Sequence, residues 1–186
     1  MGMNAHTTRV VGLDVSLTNT GVATLACTPR DEWTQHVYTV PTTSTGTEPA
    51  ALLDRMNRIA ATVAETCGQA HLVVIEGGAY SSKTAHQHTL AGCWWLVFRR
   101  ITRFDMPVIV VPPTTLKKYV TGKGNAGKLD VALGVARMWP DVQLRSSDVC
   151  DALGLASMGA HLAGLPVPYK VTKDHANALA GLTLRK

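Results

Sequence analysis

The sequence predicts an α/β fold: a mixed five-stranded sheet, three antiparallel strands followed by two parallel ones, flanked by helices on both faces. Three observations lead there. Three β-rich runs, "RVVGLDV", "GVATLACT" and "WTQHVYTV", follow one another at short spacing, which leaves room for hairpins and none for crossovers. Two further apolar runs, "HLVVIEGG" and "MPVIVVPP", each follow a stretch of helical periodicity, the pattern of parallel strands joined by right-handed crossovers. Hydrophobic residues make up 46% and charged ones 17% of 186 residues, enough apolar content for one full core and too short a chain for two comfortable ones. The chain is therefore read as a single domain over 1–186, its core at about 9–162, with a C-terminal stretch 163–186 that carries no clear pattern.

The first run suits a strand buried on both faces and carries a carboxylate near its end. After the meander, "PTTSTGTEPA" is turn-rich. Leu52, Leu53, Met56, Ile59, Ala60, Val63 and Cys67 then recur at helical spacing until Gly68 supplies a stop. The fourth strand again ends in a carboxylate. Residues from about Ser82 to Arg103 read as a long helix whose middle, "LAGCWWLVF", is apolar on nearly every side, so it is either deeply buried or shared with another subunit. A fifth strand closes at Pro112 and Pro113. A short helical piece, a helix from about Gly127 to Met138 and a final long helix from Ser146 or Ser147 complete the order βββαβαβαα.

Composition excludes several classes. No apolar run approaches the roughly 20 residues that span a bilayer, and the polar opening "MGMNAHTTR" lacks the pattern of a signal peptide. A cytoplasmic protein is expected. Cys27, Cys67, Cys93 and Cys150 are widely spaced, without the paired spacing of a zinc or redox motif, and read as buried thiols. The formal charge is +5, and much of the excess lies mid-chain in "FRRITR", "LKKY" and "TGKGNAGKLD", which permits a polyanionic partner.

Four acids stand out by position. Asp14 ends the first buried strand and Glu76 the fourth, while Asp148 and Asp151 lie three apart near the start of the last helix, on one of its faces. Parallel neighbouring strands that end in carboxylates put them at the sheet edge where open α/β sheets bind ligands. Clustered carboxylates repel unless a cation neutralises them. Hard oxygen donors suit magnesium or manganese, and two such ions support phosphodiester hydrolysis.

"GLDVSLTNTGVA", "VVIEGGAY" and "SDVCDALGLA", in this order, resemble the three acidic motifs of RuvC-type Holliday-junction resolvases, within the ribonuclease H-like superfamily. The resemblance runs from about Arg9 to His161. It implies a ribonuclease H-like fold and a catalytic, metal-binding tetrad of Asp14, Glu76, Asp148 and Asp151 holding two Mg2+ or Mn2+ ions, with Asp14 bridging them. It also implies paired nicks across four-way or branched DNA by a homodimer, a role in recombination and repair, and dimerisation through the helix containing Trp94, Trp95 and Phe98. The family carries an aromatic soon after the glutamate that inserts at the junction centre; Tyr80 is the nearest here, displaced by Gly77, Gly78 and Ala79. "SLTNTG" stands where many bacterial members have a Pro-Gly turn, which leans toward a divergent bacteriophage branch, acting in a host cytoplasm.

The lysines Lys83, Lys117, Lys118, Lys123 and Lys128 are candidates to hold DNA phosphates. His86 and His88, two apart, are poorly placed to share a helical face and are read as polar surface contacts. Two alternatives stay open. Gly122 to Lys128 matches half of a nucleotide-binding phosphate loop, although Leu129 replaces the hydroxyl that would hold magnesium and the preceding strand is distant. The same fold also serves a non-catalytic junction-binding protein.

Overall fold

The computed structural model describes residues 6–44, 46–78 and 85–183. Five strands form one sheet: β1 (Thr8–Asp14), β2 (Asn19–Cys27), β3 (Trp33–Pro41), β4 (Leu72–Glu76) and β5 (Val108–Val111). Their order is β3-β2-β1-β4-β5. β3, β2 and β1 pair antiparallel, and β1 with β4 and β4 with β5 pair parallel, as the sequence predicts. The helices are α1 (Pro49–Cys67), α2 (Ala85–Ile101), α3 (Pro113–Thr121), α4 (Lys128–Met138), α5 (Ser147–Leu162) and α6 (Lys173–Leu179).

The period-2 alternation of the strands divides the core into two layers. Val10, Ala23, Leu25, Leu72 and Val74 face one side and pack with residues of α3, α4, α5 and α6. Val11, Leu13, Val22, Val73 and Ile75 face the other and pack with α1 and α2. The central strands are buried on both faces, which is why they read as near-continuous apolar runs.

α5 lies against the sheet with almost no gap, and two strand glycines make this possible. A Cβ at Gly12 would stand 2.0 Å from the Ala152 carbonyl oxygen, and one at Gly21 would stand 2.1 Å from that of Asp148. Neither position has room for any side chain. Gly21 is also the ladder partner of Asp14. The N-terminal turn of α5 is therefore set down directly beside the acidic end of β1.

The β1–β2 turn is held from the other face. Arg55 of α1 is buried, and its guanidinium donates to the carbonyls of Leu17 and Thr42 and to the Thr42 hydroxyl. Ser16 and Thr20 close the turn internally: the Ser16 hydroxyl accepts from the amides of Thr18 and Asn19, and Thr20 Oγ1 donates to the Ser16 carbonyl at 2.8 Å. Arg55→Met, which leaves those acceptors without their donor, is expected to cost about 2 kcal/mol or more in a denaturant titration.

Two expectations are corrected. α2 ends at Ile101 and not at Arg103; Thr102 and Arg103 turn out of it towards β5. The C-terminal stretch contains a further helix, α6, whose Ala178 and Leu179 join the core. Tyr119 of α3 fastens this stretch, its hydroxyl lying 2.7 Å from that of Tyr169 and 3.2 Å from His161 Nδ1. All four cysteines are buried free thiols. No helix among the described residues is long and apolar enough to cross a membrane.

Candidate active site

The acidic ends of β1 and β4 and the first turns of α5 open into one cavity of about 330 Å³. Its walls include Asp14, Ser16, Glu76, Asp148, Asp151 and Lys128. Each acid arrives by a different constraint. Asp14 and Glu76 come from neighbouring parallel strands, whose C-terminal ends share one edge of the sheet. Asp148 and Asp151 come from α5, whose start is fixed by Ser146, the N-cap, accepting from the Val149 amide at 3.2 Å. The contact at Gly21 then brings that start to β1.

Uncompensated, this grouping is electrostatically costly. Burial pushes the Asp14 carboxyl well above the usual carboxylate range, and the charges of Glu76, Asp151 and Asp148 push it further. Glu76 is also raised, first by burial and then by Asp151, while its hydrogen bond with Asp14 and the charge of Lys117 oppose the shift. Asp14 and Glu76 act on each other directly, so their protons come off as a pair's and not as either residue's alone. Asp151 is raised to about 6 by burial, against the lowering effect of Lys128 and Lys117. Among the described residues, no group of three or more His, Cys, Asp or Glu side chains is arranged to hold a metal ion as it stands. The four acids line a common wall, and their mutual repulsion works against drawing them to one point.

The structure sorts the basic candidates. Lys128, the first residue of α4, lines the acid cavity, and Lys117 on α3 is close enough to act on Glu76 and Asp151. Lys118 and Lys123 are exposed and do not line it. Tyr80 and Lys83 lie outside the described residues, as does the side chain of His86. The loop between α3 and α4 joins two helices, so it lacks the strand-to-helix setting of a nucleotide phosphate loop. It is also tied down: Gly122 takes a left-handed conformation at φ 78° to end α3, and the Thr121 hydroxyl accepts from the Lys123 amide at 3.1 Å.

Sequence reasoning missed two contributors. Gly12 and Gly21 seat α5, and the available signal was a glycine inside each of two buried strands, which marks a close backbone approach. Trp94, Trp95 and Phe98 were expected to divide between the core and a subunit interface. In the structure Trp94 is core and donates its Nε1–H to the Glu76 carbonyl at 2.7 Å. Trp95 is 55% exposed and lines the acid cavity.

Lys128 gives a testable sign. Its charge lowers the Asp151 pKa, so Lys128→Met raises that value further. A carboxylate NMR titration is then expected to show Asp151 losing its proton at higher pH than in wild type.

Comparison with known proteins agrees with the resemblance to RuvC-type resolvases. The chain is similar to crossover junction endodeoxyribonuclease RuvC of Chlamydia trachomatis serovar L2, 42% identical over 72 residues, 37% of this chain and 40% of that protein. It is 39% identical to the protein of the same name from Gluconobacter oxydans over 56 residues, 30% of this chain and 33% of the relative. The matched stretches thus span well under two thirds of either relative. In structure it superposes on Thermus thermophilus RuvC with a TM-score of 0.68 at 24% identity, covering 86% of this chain and 98% of that one. T. thermophilus RuvC in complex with Holliday junction substrate gives a TM-score of 0.66 at 25% identity, over 80% of this chain and 90% of the other. No family model matches. The fold is therefore that of RuvC, a ribonuclease H-like fold, and the resemblance read from the motifs holds.

Proposed function

We propose that this RuvC-like chain is a structure-selective DNA endonuclease that resolves four-way or branched junctions, one nuclease domain acting within a homodimer that makes paired nicks. The observation that carries the reading is one cavity walled by Asp14, Glu76, Asp148, Asp151 and Lys128. A pure binding module gains nothing from concentrating negative charge where phosphates must approach.

The donor set is all hard oxygen, which fits Mg2+ or Mn2+. Asp14, Glu76, Asp148 and Asp151 are the residues that would hold such ions. When bound, two divalent ions supply charge neutralisation and an activated water for phosphodiester hydrolysis. Asp14, raised by burial and by all three other acids, holds its proton most tightly, and that proton must be lost for the site to act as a full ligand set. Lys128 and Lys117 keep Asp151 and Glu76 nearer their ionised forms and offer cations to the phosphate backbone. Lys118 and Lys123, exposed nearby in sequence, would extend that contact along the DNA, and Tyr80 and Lys83 stand as further contacts by the resemblance alone. Dimerisation is assigned to α2, which carries Trp94, Trp95 and Phe98.

The reading is tested by incubating the protein in magnesium with end-labelled four-way, three-way, flap, duplex and RNA–DNA substrates. Paired nicks confined to four-way junctions are expected. Junction binding without cleavage in either magnesium or manganese would leave only a binding protein on this fold.

A further inference from the structure

The acid cavity has a second wall that the proposed chemistry does not use. Beside Asp14, Glu76 and Asp148 it is lined by α2, through Leu90, Trp94 and Trp95. Trp94 is nearly buried, stacked on Phe98 with ring centroids 5.0 Å apart and planes 10° from parallel. Trp95 packs edge-on to both of these rings, at 4.9 and 5.9 Å. Two edge contacts brace the indole and restrict its rotation. More than half of its surface still meets solvent.

An exposed indole inside a site lined by carboxylates and a lysine is poorly explained as core. Phosphates are served by Lys128 and by whatever cations the acids hold; an apolar aromatic face beside them is suited to the other part of a nucleotide, its base. Base–aromatic stacking is sequence-tolerant because every base offers a π face. We propose that Trp95 is a stacking platform for a nucleobase flanking the scissile phosphate. It is a positioning residue that holds the strand in register with the acids. This rests on the nuclease reading above and adds a determinant on this chain's own helix α2.

The experiment compares wild type, Trp95→Ala and Trp95→Phe on four-way junctions in magnesium, with an abasic nucleotide placed in turn on each side of the cut. Trp95→Ala is expected to lose about tenfold in kcat/KM, the effect of one lost stack, and Trp95→Phe to recover most of it. One abasic position should cost wild type the same factor and cost Trp95→Ala nothing more. Full activity of Trp95→Ala, or abasic penalties that add in full to the mutation, overturns the proposal. So does a loss explained by dissociation of subunits in sedimentation velocity, which makes Trp95 a dimer contact. The same cycle read as junction affinity in an Asp14→Asn background separates the two claims. If wild type cuts no substrate, the nuclease reading fails, while stacking is still upheld or overturned by binding.

Discussion

Asp14→Asn is expected to lose junction cleavage by about a thousandfold or more and yet to be more stable than wild type at alkaline pH in a chelator. The first effect follows from removing the charge at the centre of the acid wall. Junction affinity should hold or rise, because one negative charge beside the phosphates is gone. The second effect follows from linkage. The Asp14 carboxyl is raised from its ordinary value to about 8 in the folded protein, first by burial and then by Glu76, Asp151 and Asp148. The folded state therefore binds this proton more tightly than the unfolded state does. That contribution is complete at pH values below the ordinary carboxylate range and is lost as pH rises through about 8. Wild type without divalent cations should thus weaken between pH 5 and pH 8, on the order of a few kcal/mol. Asparagine has no charge to desolvate, so its melting temperature should fall less. Thermal unfolding in EDTA at the two pH values checks this; equal slopes for the two proteins would mean that Asp14 is not held among unneutralised carboxylates.

Gly21→Ala should damage both packing and cleavage. The new methyl carbon would stand 2.1 Å from the Asp148 carbonyl oxygen, and no flexible side chain is there to move aside. Either the helix lifts or the strand bends. Overpacking of this kind costs about 1–3 kcal/mol, occasionally more. The functional loss should exceed what stability explains, since Asp148 sits at the contact and a misplacement of about 1 Å can cost on the order of a hundredfold in rate. Cleavage measured well below the variant's melting temperature distinguishes the two. A folded Gly21→Ala protein with wild-type rates would show that α5 need not touch β2 for the acids to work.

The sheet was legible because its strands alternate or run apolar for their whole length, and the helix starts at Gly127 and Ser146 are marked by local cap chemistry. The four acids could be found because three sit at element ends and Asp148 and Asp151 share a helical face. What brings them together was not legible as a contact. Gly12 and Gly21 act through the absence of a side chain, and the partner surface, the backbone of α5, lies more than a hundred residues on. α6 escaped because its seven residues are too few for a periodic pattern, and its anchor is tertiary, the Tyr119 and Tyr169 hydroxyl pair. Which aromatic of α2 lines the cavity was not legible, because an apolar helix gives no sign of it.

The central claim is that Asp14, Glu76, Asp148 and Asp151 act together as one divalent-cation site for DNA cleavage. The most direct measurement is an electron paramagnetic resonance titration of Mn2+ into the protein bound to a four-way junction of non-cleavable phosphorothioate DNA. Saturable binding that is lost in Asp14→Asn is the expected result. Binding of equal strength in both proteins, or none in wild type at millimolar Mn2+, would contradict it.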